Sequence, residues 1–281
     1  MVTVVDDGRP LVLTTFTVLA DMARNVAGDH LRVESITKAG AEIHGYEPTP
    51  GDLRGAEQAE LILDNGLGLE AWFEKFVERV PAPHAVVSDG VDPVFVRDDA
   101  YAGRANPHAW MSPVVAQTYI DNIAAAFVRL DPGHAADYRA NAESYKSRLR
   151  AVGDELRASL GGLPSAQRAL VTCEGAFSYL ARDFDLQEAY LWPVNAEQEG
   201  TPKQVVAAID FVIDNKVPAV FCESTVSDKA QRQVAEDTGA RFGGNLYVDS
   251  LSGTDGPVPT YLDLLTYDVR IITDALRGDR R

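Results

Sequence analysis

The stretch HAADYRANAESYKSRLRAVGDELRASL, residues 134–160, decides the architecture of this chain. Apolar residues recur in it at steps of three or four, which is the spacing of one helical face: Tyr138, Ala142, Tyr145, Leu149, Val152, Leu156 and Leu160. A helix of this length measures about 40 Å, at roughly 1.5 Å per residue. The sequence therefore predicts one long amphipathic helix, either bridging two lobes or capping a single core.

Short apolar runs alternate with helical segments on both sides of this helix, as in folds built on a parallel sheet. The predicted strands are PLVLTTF (10–16), LRVESI (31–36), AELILDN (59–65) and PHAVVSD (83–89), then RALVTC (168–173), EAYLW (188–192), PAVFCE (218–223) and RFGGNLYV (241–248). We expect an α/β fold with two lobes, each a four-stranded mostly parallel sheet flanked by helices. The lobes are 1–132 and 162–281, and the rigid helix 133–161 joins them.

Charge and hydropathy exclude two classes of partner. The 281 residues carry a formal net charge of -16, and a negative field of this size repels nucleic acid and anionic membrane surfaces. No apolar run reaches the roughly 18 to 20 residues that a membrane span requires. The chain passes almost directly into its first strand, so we expect a mature protein whose export signal has been removed.

Four acid or imidazole residues lie in distinctive local signatures: His44 in EIHGYEPTP, His108 in NPHAWMSP, Glu174 in CEGAFSYL and Asp249 in LYVDSLS. Each follows a predicted strand, and loops at the carboxyl ends of parallel strands converge in open α/β sheets. Two imidazoles and two carboxylates suit manganese, ferrous iron or zinc, and the set lacks the thiolates that select soft metals. We therefore predict that the fold brings these four side chains together around a divalent ion.

The motifs and their order resemble the solute-binding proteins of bacterial ABC importers for manganese, iron and zinc. The resemblance covers nearly the whole chain and includes LWPVNAEQEGTPKQV, FCESTVSDKAQRQVA and GGNLYVDSLSGTDGPVPTYLDLL. It implies two lobes joined by a rigid helix, a metal held between them, and delivery to a membrane permease. It also implies a periplasmic protein, or an outer-surface one with a lipid anchor, and we expect a monomer. Motif matching carries the ligand roles to His44, His108, Glu174 and Asp249.

The position of Glu174 bears on which metal is carried. Relatives that resemble zinc carriers usually hold a histidine there, in an HDAF-like motif, and have a long histidine-rich loop in the first lobe. This chain has neither, and a carboxylate can bind bidentately and raise the coordination number above four. Mn²⁺ is therefore favoured and Fe²⁺ comes next, while a zinc carrier remains the alternative.

Two further functional classes compete with transport. A metal-dependent hydrolase is the chief rival because the same ligand types can activate water. The sequence has no HExxH motif, nucleophile elbow or phosphate-cradling glycine loop, so we do not expect an enzyme. An adhesin role, sometimes attached to this family, leaves no readable mark in the sequence.

Residues beside the predicted ligands give weaker signals. Cys173 and Cys222 each precede a glutamate at the end of a predicted strand, and they form either a disulfide or two buried thiols. Glu223 is either a hydrogen-bond partner of the site or part of a structural ion pair. We expect three other histidines to lie at the surface without matching acids: His30, His84 and His134.

Overall fold

The first half of the chain is built on a parallel sheet whose four strands lie in the order β2-β1-β3-β4. The computed structural model describes residues 8–77, 80, 82–97, 101–164, 167–194 and 200–278. The strands are β1 (Leu11–Thr14), β2 (Arg32–Ser35), β3 (Leu61–Asp64) and β4 (His84–Val86). The helices are α1 (Thr17–Ala27), α2 (Pro50–Ala56), α3 (Phe73–Val77) and α4 (Ala116–Leu130). The four strands predicted for this half are confirmed.

Local sequence signals explain where α2 begins and where α1 ends. The Thr49 hydroxyl accepts a hydrogen bond from the backbone N–H of Asp52, whose carboxylate accepts from the Thr49 backbone, so a capping box opens α2. Helix α1 ends at Gly28, which has a φ of 57° that glycine adopts without steric cost. Helix α3 has five residues, which are too few to show a helical period in the sequence.

The second half contains all four predicted strands but pairs them in two ladders. After helix α5 (Ala135–Gly161), the order is β5 (Ala169–Glu174), α6 (Ser178–Phe184), β6 (Gln187–Trp192), α7 (Pro202–Asn215), β7 (Ala219–Glu223), α8 (Lys229–Thr238), β8 (Arg241–Leu246) and α9 (Tyr261–Arg277). Strand β5 pairs with β6 and β7 with β8, both in parallel. Residues 195–199 of the LWPVNAEQEGTPKQV motif lie outside the described residues.

The two ladders meet at the edge between β5 and β7. A disulfide joins Cys173 to Cys222, whose Cα atoms lie 4.8 Å apart, about the spacing of neighbouring strands. The backbone N–H of Glu174 donates to the Glu223 carboxylate at 3.1 Å rather than to a carbonyl of β7. The four-stranded sheet expected for this half is therefore divided into two sheets. Between β5 and β7 a disulfide and a side-chain hydrogen bond stand where a continuous sheet would have backbone hydrogen bonds.

Helix α5 is the long helix that the sequence predicts, and it buries the predicted stripe. It packs against α1 and α4 from the first half and against α9 from the second half. The largest hydrophobic core cluster likewise contains residues of both halves, among them Trp110, Tyr145, Phe177 and Tyr261. The two halves thus share buried apolar surface. Within the described residues, no helix has the length and apolar character needed to cross a membrane.

Candidate metal centre

The structure brings all four predicted ligand side chains together. The Nε2 atom of His44 lies 3.1 Å from Nε2 of His108 and 3.4 Å from Oε1 of Glu174. Nε2 of His108 lies 3.6 Å from Oε1 of Glu174 and 3.7 Å from Oδ1 of Asp249. Donors held at about 2.1 Å from one ion in a tetrahedron are about 3.4 Å apart. These separations therefore suit a single cation at the centre.

Burial and unmet hydrogen bonding also fit a cation at this place. Glu174, Asp249 and His108 are at most 2% exposed and His44 is 8% exposed. Among the described residues, Oδ1 of Asp249 has no hydrogen-bond partner. A carboxylate oxygen withdrawn from water without a partner is costly, and coordination to a divalent ion removes that cost.

Short local contacts position the two first-half ligands. The Glu42 carboxylate accepts the backbone N–H groups of His44 at 2.6 Å and Gly45 at 2.8 Å, which fixes the turn that carries His44. The side-chain oxygen of Asn106 accepts from the backbone N–H of His108 at 3.0 Å and lies 3.0 Å from its Nδ1. Asn106 was not among the predicted site residues, although it lies only two residues before the predicted ligand His108.

The two second-half ligands are held differently. Glu174 is the last residue of β5, and the Glu223 carboxylate accepts its backbone N–H. The segment around Asp249 is fastened to the first half: the Trp110 indole N–H donates to the Val248 carbonyl at 3.2 Å. In addition, Leu251 N–H donates to the Thr17 hydroxyl at 2.9 Å and Gly40 N–H to the Ser250 hydroxyl at 2.7 Å. Asp249 therefore lies on a segment docked against the first half of the chain.

The electrostatics of the site distinguish its two imidazoles. Burial lowers the pKa of His44, but the neighbouring Glu174 and Asp249 carboxylates outweigh burial and raise it to about 9. Burial lowers the pKa of His108 to about 3, and His44 adds to this effect. Burial and Glu174 raise the pKa of Asp249 to about 7. The site therefore pairs an imidazole whose pKa is raised with one whose pKa is lowered.

The three histidines outside the candidate site differ from the sequence-based expectation in one respect. They lie partly or mostly at the surface, but each has an aspartate within hydrogen-bond distance. The pairs are His30 with Asp137 at 2.9 Å, His84 with Asp64 at 3.0 Å and His134 with Asp131 at 2.6 Å. The expectation that they lack matching acids was wrong, because two of these pairs form between segments distant in sequence.

The glycine after Glu174 is required by close packing. A Cβ atom at Gly175 would lie 2.7 Å from the Pro193 carbonyl oxygen and 2.9 Å from the Tyr190 ring. We expect Gly175→Ala to lower the free energy of unfolding by about 1–3 kcal/mol, the cost of overpacking, and to weaken metal binding by moving Glu174. Urea denaturation and metal titration measure the two effects. Gly161→Ala is the control, since a Cβ there meets nothing within 4 Å. Equal stability of the two variants would contradict this reading.

Comparison with known proteins yields consistent matches over nearly the whole chain. The family model described as "ZnuA: Zinc-uptake complex component A periplasmic" matches residues 12–275. The iron-binding protein YfeA of Yersinia pestis is 55% identical over 262 residues, which are 93% of this chain and 84% of YfeA. The manganese ABC transporter substrate-binding lipoprotein PsaA of Streptococcus anginosus is 32% identical over 273 residues, covering 94% of this chain and 88% of that protein.

A solved structure extends this likeness to three dimensions. The Mn-bound periplasmic metal-binding protein from Candidatus Liberibacter asiaticus superposes with a TM-score of 0.90 at 39% sequence identity. The match covers 95% of this chain and 100% of that chain. The α/β architecture described above is therefore that of a known group of metal-binding proteins.

Proposed function

The chain belongs to the ZnuA family of periplasmic metal-uptake components, and from this premise we propose that it captures one divalent transition metal ion and delivers it to an ABC permease. The proposed ligands are His44, His108, Glu174 and Asp249. The observation that carries the proposal is the convergence of their donor atoms in a buried site, where four pairs of these atoms lie 3.1 to 3.7 Å apart. The family is one of transport proteins, and nothing in the matches supports a hydrolase.

The proposal includes a cellular location and a division of the chain. Relatives named as periplasmic components and as substrate-binding lipoproteins support a protein that acts in the periplasm or from a lipid anchor at the outer surface. We propose that the lobes are 1–132 and 162–281, joined by 133–161, with the ion between them. Binding then shifts the population toward a form that the permease distinguishes from the empty one.

We propose Mn²⁺ as the favoured cargo and Fe²⁺ as the next. Glu174 supplies a hard ligand that can bind through both oxygens, and hard oxygen donors suit Mn²⁺ and Fe²⁺ at coordination numbers above four. The relatives named for iron and manganese support this order, while the family description names zinc, which is the alternative. Zinc ordinarily binds nitrogen and oxygen sites more tightly than Mn²⁺, so binding in solution alone does not identify the cargo.

Exchange of one ligand tests this proposal. We expect Glu174→His to keep a metal site but to lower the ratio of Mn²⁺ to Zn²⁺ affinity by about tenfold or more, because a neutral nitrogen replaces an anionic oxygen. Competition titration with a metal-sensitive dye measures both affinities. Glu57→His, at an exposed position, is the control. An unchanged ratio in Glu174→His would exclude Glu174 as the source of preference, and absence of binding in the unaltered protein would overturn the proposal.

Metal binding should also release protons. His44 holds a proton below a pKa of about 9 and Asp249 below about 7, and an ion has to displace both. We therefore expect affinity for Mn²⁺ to fall as pH decreases, about tenfold per pH unit for each proton displaced, with the steeper slope below pH 7. Calorimetry in buffers of different ionisation enthalpy counts the protons released. An affinity that is constant between pH 6 and 8 would contradict this prediction.

A further inference from the structure

We propose that Asn106 is a positioning residue with two roles: it fixes the metal-accepting tautomer of His108, and it fastens the His108 loop to the segment that follows Glu174. The expected effects on Mn²⁺ binding rest on the proposed function, whereas the expected effect on the His108 tautomer does not. Asn106 is 2% exposed and lies in the loop between β4 and α4, where no period in the sequence marks it.

The contacts of the Asn106 amide fix its orientation. Nδ2 lies 2.5 Å from the carbonyl oxygen of Gly175, which can only accept a hydrogen bond, so this atom is the donating nitrogen. A second contact runs from Nδ2 to the Ser178 hydroxyl at 3.3 Å. Oδ1 therefore faces His108, where it accepts the backbone N–H and lies 3.0 Å from Nδ1.

This orientation decides which nitrogen of His108 carries the proton. An acceptor opposite Nδ1 requires Nδ1–H, so a neutral His108 has its free electron pair on Nε2. Nε2 is the atom that points at His44, Glu174 and Asp249. Asn106 thus directs the free Nε2 electron pair of a neutral His108 toward the other three side chains.

The same side chain spans the two halves of the molecule. Its carbonyl end holds His108, a first-half residue, while its amino end holds the main chain one residue beyond Glu174. The backbone repeats the pattern: the Tyr179 hydroxyl donates to the Asn106 carbonyl at 2.7 Å, and Asn106 N–H donates to the Val94 carbonyl at 2.7 Å. Asn106 therefore sets the spacing between a ligand from each half.

Two substitutions separate the two roles. Asn106→Ala removes both, so we expect His108 to shift toward the Nε2–H tautomer and Mn²⁺ affinity to fall about 10–100-fold. Asn106→Asp keeps an acceptor for Nδ1–H but cannot, as a carboxylate, donate to Gly175. We expect it to retain the Nδ1–H tautomer while releasing Mn²⁺ about tenfold faster.

Nitrogen-15 NMR of the imidazoles in the full-length metal-free protein reads the tautomer, with His108→Gln assigning the signals. Stopped-flow transfer of Mn²⁺ to a chelator reads release. Asn122→Ala is the matched control, because it removes two amide hydrogen bonds of 2.8 Å, to the Val87 and Asp89 carbonyls, outside the site. We expect it to change thermal stability without changing the tautomer or the release rate.

The outcomes separate the inference from the proposed function. An unchanged His108 tautomer in folded Asn106→Ala overturns the first role, and an unchanged release rate in Asn106→Asp overturns the second. Failure of the unaltered protein to bind Mn²⁺ or Zn²⁺ overturns the proposed function. The tautomer measurement, which needs no metal, still decides the first role in that case.

Discussion

Replacement of His108 by alanine should lower the affinity for Mn²⁺ by two to three orders of magnitude. Structural Zn²⁺ sites bind with about 10–16 kcal/mol, and a four-donor site of similar strength draws about 2.5–4 kcal/mol from each donor, or about 10²–10³ in affinity. His108 lies within 3.7 Å of the three other candidate ligands and is fully buried.

Isothermal titration with Mn²⁺ and elemental analysis after dialysis measure this loss. His134→Ala is the matched control, since His134 is exposed and pairs with Asp131 outside the site. We expect the control to bind Mn²⁺ within about twofold of the unaltered protein, the range of surface substitutions. A folded His108→Ala protein that binds as tightly as the control would remove His108 from the ligand set.

The second large effect concerns stability. Replacing both Cys173 and Cys222 by serine should lower the free energy of unfolding by up to about 4 kcal/mol, because the disulfide closes a loop with a sequence separation of 49 residues. The disulfide restricts the unfolded chain. In the double variant two serine hydroxyls would take the fully buried places of the sulfur atoms between β5 and β7, where each would need a hydrogen-bond partner.

Urea denaturation without reductant measures the difference. The unaltered protein in excess reductant is the internal control, since it loses the bond but keeps both side chains. We expect reduction to account for most of the loss. A reduced protein as stable as the oxidised one would show that the disulfide contributes nothing to folding, and two titratable thiols in the denatured unreduced protein would show that the bond does not form.

The sequence predicts this fold well where burial is periodic. The stripe of α5 and the apolar runs of the eight strands show which faces are buried, since a packed helix or strand must hide one side from water. Helix α3 is too short for a period, and the split between β5 and β7 depends on a contact of Glu223 with the Glu174 main chain. Such contacts leave no local pattern.

The candidate site likewise has features that the sequence predicts and features that it does not. Convergence of His44, His108, Glu174 and Asp249 was predictable because loops at the carboxyl ends of parallel strands share one edge. The docking of the Asp249 segment on Thr17 and Trp110 was not, since those contacts join residues 234 and 138 positions apart. Asn106 was missed for a related reason: its amide matters only when Gly175 from the other half is in place.

Those distant contacts also govern how fast the chain can fold. Besides the bond between Thr17 and Leu251, the Asp21 carboxylate accepts the backbone N–H of Tyr261, 240 positions away, and the hydroxyl of Tyr145 on α5. Pairings between such remote positions raise the contact order, and high contact order slows folding because long loops must close first. Helix α1 therefore gains its contact with Tyr261 only after the start of α9 has been synthesised, and the candidate metal centre cannot be complete before Asp249 and the residues that hold its segment are present.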